Sequence, residues 1–290
     1  MRNSAFGIFA KTFVATFILL SCVAYATYKI WGNIDRANDV KNQIEDRYSY
    51  VPSQNEGISF LLSVDNNGVG HGIYTLIKAD PPKKEITLCV LPWQLMGHSG
   101  TKYRTLDGFS KEQSGRDIMK AVNNALGLNL TKYIYVDSNT LANCVDLLGG
   151  AKVEINSDVE YETENAYVSV FAGKGLISGQ ALMGVLENPD NFKKNKDGTE
   201  FIANILKNSI LSYESERIKE VAQNLYTKLL QNADTNLSAE DYLMRKEALF
   251  YLIDNGAQIN VISADGNFDI TKDNFTPTSE FISKLQAEFN

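Results

Sequence analysis

Histidine is scarce in this chain: His71 and His98 are the only two among 290 residues, and they fall in separate predicted loops. That inventory excludes a histidine-rich zinc centre and the HExxH pair of a metalloprotease, both of which need imidazoles converging on one ion. The GxSxG turn that exposes a nucleophilic serine is missing, as is the Walker phosphate loop. Three cysteines make no disulfide framework, since Cys22 falls in an apolar N-terminal run, Cys89 in an apolar strand and Cys144 on an apolar helix face. Buried free thiols are the expectation, with a Cys89–Cys144 bridge left open. Clustered positive charge is lacking too. With a net charge of -7 and no Lys/Arg stripe, the chain is not a general nucleic-acid binder, which needs such a surface for phosphate contact. No internal repeat or low-complexity tract occurs.

What is present begins at the N-terminus. From Thr12 to Tyr28 no residue is charged, and Phe13, Val14, Phe17, Ile18, Leu19, Leu20 and Val23 form an apolar cylinder about 25 Å long as a helix. Lys11 and Lys29 flank it and Trp31 follows at the interface position, so residues 12–31 are predicted to be a transmembrane anchor behind a short tail, 1–11. Two other fates stay open: cleavage as a secretory signal, and lipidation of Cys22 within Leu19-Leu20-Ser21-Cys22. All three place the rest of the chain on the extracytoplasmic side of the cell membrane, single-pass if the anchor is kept. Ile34, Ala37, Val40, Ile44 and Tyr48 predict a short amphipathic helix, and Pro52 to Gly57 a linker, so 32–56 is juxtamembrane and 57–290 the folded domain.

Within that domain, Ile58–Val64, Ile73–Ala79 and Glu85–Leu91 read as strands, separated by turns at Asp65–Gly68 and Asp80–Lys83. A helix is predicted from Gln113 to Leu126 with Gly127 as its stop, a strand at Tyr133–Val136, a helix at Asn139–Leu148 and a strand at Lys152–Ile155. After a turn at Gly173–Gly175 come helices at Gly179–Leu186, Gly198–Ser212 and Glu216–Leu230, then one through Leu252 begun by a Ser238/Asp241 capping box. A strand at Gln258–Ser263, a turn at Asp265–Asn267 and a helix capped by Thr276, with Pro277 in its first turn, close the chain at Phe289. This alternation means an α/β domain.

Three local patterns tempt a site assignment. Gly68-Val69-Gly70-His71-Gly72 is glycine-rich, but a strand follows it where a phosphate cradle needs a helix N-terminus, so it reads as a hairpin. Asp265-Gly266-Asn267-Phe268-Asp269 suggests a calcium loop, yet its sixth position is Ile270 and its twelfth Thr276, so a turn is the better reading. Lys193, Lys194 and Lys196 form the densest basic run, a solvated loop or a phosphate contact.

The ordered segments resemble the LytR-CpsA-Psr (LCP) family of envelope proteins. The resemblance rests on Phe60-Leu61-Leu62-Ser63-Val64-Asp65, Leu76-Ile77-Lys78-Ala79-Asp80-Pro81, Tyr133-Ile134-Tyr135-Val136-Asp137, Val145-Asp146-Leu147-Leu148-Gly149-Gly150-Ala151-Lys152-Val153 and Leu176-Ile177-Ser178-Gly179-Gln180-Ala181-Leu182. It implies a mixed central β-sheet sandwiched by helices. It also implies transfer of wall polymers from a polyprenyl-pyrophosphate carrier to peptidoglycan, with arginines holding the pyrophosphate and aspartates a divalent metal, Mg2+. Asp65 matches one such aspartate and would be the catalytic and metal-binding residue. The family's other charged positions fall here at Gly70 and Gly72, at Trp93 and Gln94, at Leu186 and Asn188, and near Glu200, Ala203 and Asn204. A pyrophosphate needs bidentate guanidinium partners, which these residues do not supply.

Two functions are therefore carried forward. One is a non-catalytic relative that binds a polyprenyl phosphate or pyrophosphate, a wall glycan or an envelope partner at the membrane. The other is an active Mg2+-dependent phosphotransferase whose basic groups come from Lys102, Arg104, Lys193, Lys194 and Lys196.

Overall fold

The computed structural model describes residues 50–65, 71–112, 114–162, 167–188, 196–269 and 271–290. The predicted anchor at 12–31 and amphipathic helix at 35–48 lie outside the described residues. Among those described, no helix is long and apolar enough to cross a membrane. Pro52–Asn290 forms one unit.

A turn at Gln54–Glu56, in which the Glu56 carboxylate accepts from the Ser53 N–H at 2.6 Å, leads into β1 (Ile58–Asp65), β2 (Ile73–Asp80) and β3 (Glu85–Leu91). Next come β4 (Met96–Ser99), β5 (Lys102–Thr105), α1 (Leu106–Ser110), α2 (Gly115–Leu126), β6 (Lys132–Asp137), α3 (Ser138–Leu147) and β7 (Ala151–Ile155). Then follow β8 (Val159–Glu162), β9 (Tyr167–Val170), β10 (Gly173–Ile177), α4 (Gly179–Glu187), α5 (Lys196–Ser212) and α6 (Ser215–Asn232). The chain ends through β11 (Asp234–Thr235), α7 (Ala239–Asp254), β12 (Gln258–Val261), β13 (Gly266–Asp269), β14 (Asn274–Pro277) and α8 (Ser279–Phe289).

The main sheet has the order β11-β6-β1-β2-β3-β12. β1 pairs parallel with β6 and β3 with β12, while β1-β2, β2-β3 and β6-β11 are antiparallel, so the sheet is mixed. Both its faces are apolar, as the near-continuous hydrophobic runs of β1 and β3 require. On one face Leu61, Tyr74, Leu76, Cys89 and Leu91 pack with Ile118, Val122 and Leu126 of α2 and with Phe281, Leu285 and Phe289 of α8. On the other, Val64, Ile73, Val90, Ile134 and Val136 pack with α3, α4 and α5 through Val145, Leu182, Leu186, Ile202 and Ile205. Each such side chain contributes about 1.5–3 kcal/mol when fully buried, so the two clusters together dominate stability. The expected α/β fold, a mixed central sheet between helices, is what forms.

Three sequence expectations are corrected. Gly173–Gly175, predicted as a turn, opens β10, where Gly175 pairs with Val153 of β7; side-chain space there is open, and glycine marks an exposed edge. Asp265–Asn267, read as a turn, leads instead into the β13-β14 hairpin, and Gly266 is required because a Cβ would meet the Phe275 ring at 2.5 Å. The last helix starts two residues later than expected: Thr276 and Pro277 belong to β14, and Thr278 is the cap, its hydroxyl accepting from the Phe281 N–H at 3.2 Å. By contrast the Ser238/Asp241 capping box forms as predicted. Cys89 and Cys144 are free and buried.

Helices α3 and α4 meet at glycine. A Cβ on Gly179 would lie 1.9 Å from the Ala142 carbonyl oxygen, whereas one on Gly175 would meet nothing within 4 Å. Gly179→Ala is therefore expected to destabilise the protein by about 1–3 kcal/mol through forced separation of the helices. Gly175→Ala should stay within about 0.5 kcal/mol, both read from chemical-denaturation midpoints. Equal effects of the two changes would show that the close approach is not what holds α4.

Candidate functional site

The parallel and antiparallel neighbours of β1 bring chemistry to its C-terminal end. Ser63 is flanked across the strands by Tyr74 of β2 and Tyr135 of β6, so one row of the sheet carries two phenols pointing to the same face. The Tyr135 hydroxyl donates to Asp65 Oδ2 at 2.9 Å, with the Ser110 carbonyl oxygen at 3.3 Å as a second acceptor. Tyr74 donates to Asp107 Oδ1 at 2.8 Å. Burial pushes Tyr135 up to about 12, and burial together with the Asp107 charge raises Tyr74 well above the usual tyrosine range. Both phenols are thus kept as neutral donors.

Asp107, in α1, gathers a second group. Its carboxylate also accepts from the Gly72 N–H at 3.0 Å and from His71 Nδ1 at 2.7 Å. An acceptor-only carboxylate fixes the proton of a neutral His71 on Nδ1. The imidazole lies flat on the Trp93 indole, centroids 3.6 Å apart and planes 7° apart. Gly72 serves the contact directly, because a Cβ there would meet the Tyr74 hydroxyl at 2.6 Å.

A third element is Glu187, the last residue of α4, 5% exposed. Burial raises its carboxyl from 4.5 to about 7, with the charge of Asp65 adding to the shift and a bond to Ser138 opposing it. The Ser138 hydroxyl contacts both Glu187 and, at 2.9 Å, the main-chain oxygen of Asp65. In the protonated form each hydrogen has one place to go: Glu187 donates to Ser138 Oγ, and Ser138 donates to the Asp65 carbonyl. Ionisation of Glu187 would make two acceptors compete for the one serine proton.

Of the residues nominated from sequence, Asp65 sits in this cluster. Lys102 and Arg104 do not: both pair with Glu112 on the surface, Arg104 at 2.6 Å. Lys193 and Lys194 lie outside the described residues, and Lys196 opens α5 with its side chain outside them. Leu186 and Ala203 are fully buried, Trp93 and Gln94 nearly so, while Glu200 and Asn204 face solvent. Asp65 and Glu187 are two carboxylates that could complete a magnesium shell only with ligand oxygens and water, since no group of three His, Cys, Asp or Glu able to hold a metal exists among the described residues.

Sequence reading missed Tyr135, Asp107, Ser138, Glu187 and the role of His71. One signal was available for Glu187, the lone charge after the apolar stretch Ala181–Leu186.

Beneath the opposite face of the sheet lies an apolar cavity of about 300 Å3. Ile58 and Phe60 of β1, Ile134 of β6, Leu229 of α6 and Leu249 of α7 line it, and Asp241, Tyr242 and Arg245 supply its few polar groups. Phe60 and Asp65 are five positions apart on β1, about 16 Å, so cavity and polar cluster are the two ends of a single strand.

The model of the LytR_cpsA_psr family matches residues 110–286. No curated protein matches. Among solved structures, a protein from Eubacterium siraeum described as a transcription regulator superposes with TM-score 0.68 at 15% identity, covering 83% of this chain and 94% of its own. TagV of B. subtilis gives 0.61 at 14%, covering 80% and 95%. TagT bound to LIIa-WTA gives 0.60 at 15%, covering 83% and 93%. At these identities the likeness is one of fold.

The Glu187 shift has a sign that can be measured. Its folded value lies above the ordinary 4.5, so the stabilisation it gives is complete below that pH and is lost as pH rises through about 7. Glu187→Gln, which mimics the protonated form, should flatten the pH dependence of stability between pH 5 and 8 and raise stability at pH 8 by up to about 2–3 kcal/mol. An unchanged slope in the variant would place the titration elsewhere.

Proposed function

Because the chain belongs to the LytR_cpsA_psr family, we propose that it is a membrane-anchored cell-envelope protein whose extracytoplasmic domain binds a polyprenyl-linked wall glycan, without the family's arginine-dependent transfer. The observation that carries this reading is an apolar cavity at one end of β1 with a cluster of carboxylates at the other. The cavity is bounded by branched and aromatic side chains and suits a hydrocarbon chain, for which about 25 cal/mol per Å2 of buried apolar surface favours entry. The positions at which the family resemblance puts guanidinium groups carry Leu186, Ala203 and Trp93, none of which can bind a pyrophosphate. TagT bound to LIIa-WTA supports a lipid-linked glycan as the ligand class. The anchor is supported by the uncharged run from Thr12 to Tyr28.

The second reading is an active phosphotransferase, and Asp65 is the observation in its favour. It requires Mg2+-dependent turnover that Asp65→Ala abolishes.

The full chain, expressed in a bacterial host, extracted in mild detergent and examined by native mass spectrometry, should carry a polyprenyl phosphate or pyrophosphate. Leu229→Trp, which fills the cavity, should lower lipid recovery about tenfold, the effect of ~1.4 kcal/mol. Added Mg2+ should leave the bound lipid uncleaved. Wild-type protein recovered empty would sink the proposal, and Mg2+-dependent loss of the lipid's pyrophosphate would favour the transferase.

A further inference from the structure

Four buried side-chain polar atoms have no hydrogen-bond partner among the described residues: Thr75 Oγ1, Trp93 Nε1, Ser110 Oγ and the Tyr242 hydroxyl. Of these residues only Tyr242 lines the apolar cavity beneath the sheet. It is 8% exposed, and its ring stacks on Tyr226 with centroids 4.7 Å apart and planes 22° apart. Tyr226 is held in turn by the bond its hydroxyl donates to the Ser238 carbonyl oxygen. The Tyr242 phenol is thus a buried donor on a fixed ring, and its lost hydration is recovered only when an acceptor enters the cavity.

A cation stands one turn along α7. Arg245 lines the same cavity with 18% of its side chain exposed. Its Nε donates to the Gly57 carbonyl oxygen at 3.4 Å and its Nη1 to Asp241 Oδ1 at 3.3 Å, while among the described residues none accepts from Nη2. Asp241 is also paired with Lys132 at 2.7 Å. Two cations on one carboxylate leave a positive charge over at this end of β1, where the Asp65 end gathers carboxylates.

Beyond these two residues the wall is hydrocarbon. Leu249 of α7 lines the first cavity, Leu252 and Ile253 line a second of about 240 Å3, and Ile86 and Ile210 border both. From Tyr242 to Ile253 the helix rises about 16 Å. At the density with which a cavity of about 150 Å3 holds benzene, the two spaces take roughly twelve and ten carbons. An unsatisfied phenol and a spare guanidinium edge at the head of an apolar path suit a chain that ends in phosphate, whose oxygens accept from both donors.

We propose that Tyr242 and Arg245 seat the phosphate of the lipid-linked ligand, with its hydrocarbon chain lying along α7 towards Ile253. This rests on the lipid-binding reading above and deepens it, since it puts the head group at the end of β1 opposite Asp65.

The full chain in mild detergent is titrated by isothermal calorimetry, at one detergent concentration, with three probes of equal carbon number: farnesyl phosphate, the hydrocarbon farnesene and pentadecanoate. Farnesyl phosphate should bind at least about tenfold tighter than farnesene. Tyr242→Phe, which keeps the stacked ring, should weaken farnesyl phosphate about tenfold or more, the effect of a hydrogen bond to a charged group, and bind farnesene as tightly as wild type or tighter. Arg245→Gln should weaken the phosphate by about tenfold and hold farnesene within about twofold. Equal affinity of the wild type for farnesyl phosphate and farnesene overturns the phosphate seat, and so does a Tyr242→Phe variant that binds the phosphate as wild type does. Tighter binding of pentadecanoate than of farnesyl phosphate makes a carboxylate the recognised head and overturns it as well. Farnesene still bound in those cases leaves the cavity a lipid site, whereas a wild type that takes up none of the probes sinks both ideas.

Discussion

Strand β1 lies between an antiparallel and a parallel neighbour, and the register of those two ladders decides everything else in the domain. Ser63 opposite both Tyr74 and Tyr135 is one row of that register. A slip of one residue on either side would turn the phenols to the opposite face, bury a carboxylate under α5 and open a core cluster to water. Register is so strongly specified because both faces of β1 are covered: Leu61 and Val64 are at most 2% exposed, on opposite sides. The core and the site are therefore consequences of one pairing, and neither can be altered without the other.

The parts of the fold that could be read from sequence were those with strong, long patterns. Runs such as Ile58–Val64 and Glu85–Leu91 leave no reading but buried strands, and Ser238 with Asp241 or Gly127 after Leu126 mark helix ends through specific hydrogen bonds and backbone shape. The hairpins β4-β5 and β8-β9 escaped because strands of four residues carry too little pattern. Gly173 and Gly266 misled for a different reason: glycine signals a turn, an open edge or a close approach alike, and only the packed structure tells them apart. The site was harder. His71 and Asp107 are 36 positions apart, Ser138 and Glu187 49, and nothing local in either segment announces the partner. Asp65 was nominated through family resemblance, whereas Lys102 and Arg104 were nominated for their charge and both pair with Glu112.

The electrostatic character of the site follows from what supports its carboxylates. Neutral phenols, a main-chain amide, an imidazole and a serine hydroxyl hold them, where cationic partners would have balanced their charge. Hydrogen bonds of this kind satisfy an anion locally but leave its field largely uncompensated. The upward shift of Glu187 comes first from burial, and the charge of Asp65 adds to it. The chain thus has the family's fold, with an apolar cavity at one end of β1 and an uncompensated carboxylate cluster at the other.

The two edge strands of the main sheet, β11 and β12, both come from the final third of the chain. A polypeptide emerging N-terminus first therefore presents β6 as an open edge until Asp234–Thr235 has been delivered, and β3 until Gln258–Val261 has. For that interval each unpaired edge is a template on which another chain can add a strand. Completion of the sheet is thus tied to the arrival of the C-terminal segment, so a prematurely stopped product lacking β12 keeps most of its hydrophobic core and none of the protection of one edge, which makes it a substrate for chaperones and proteases.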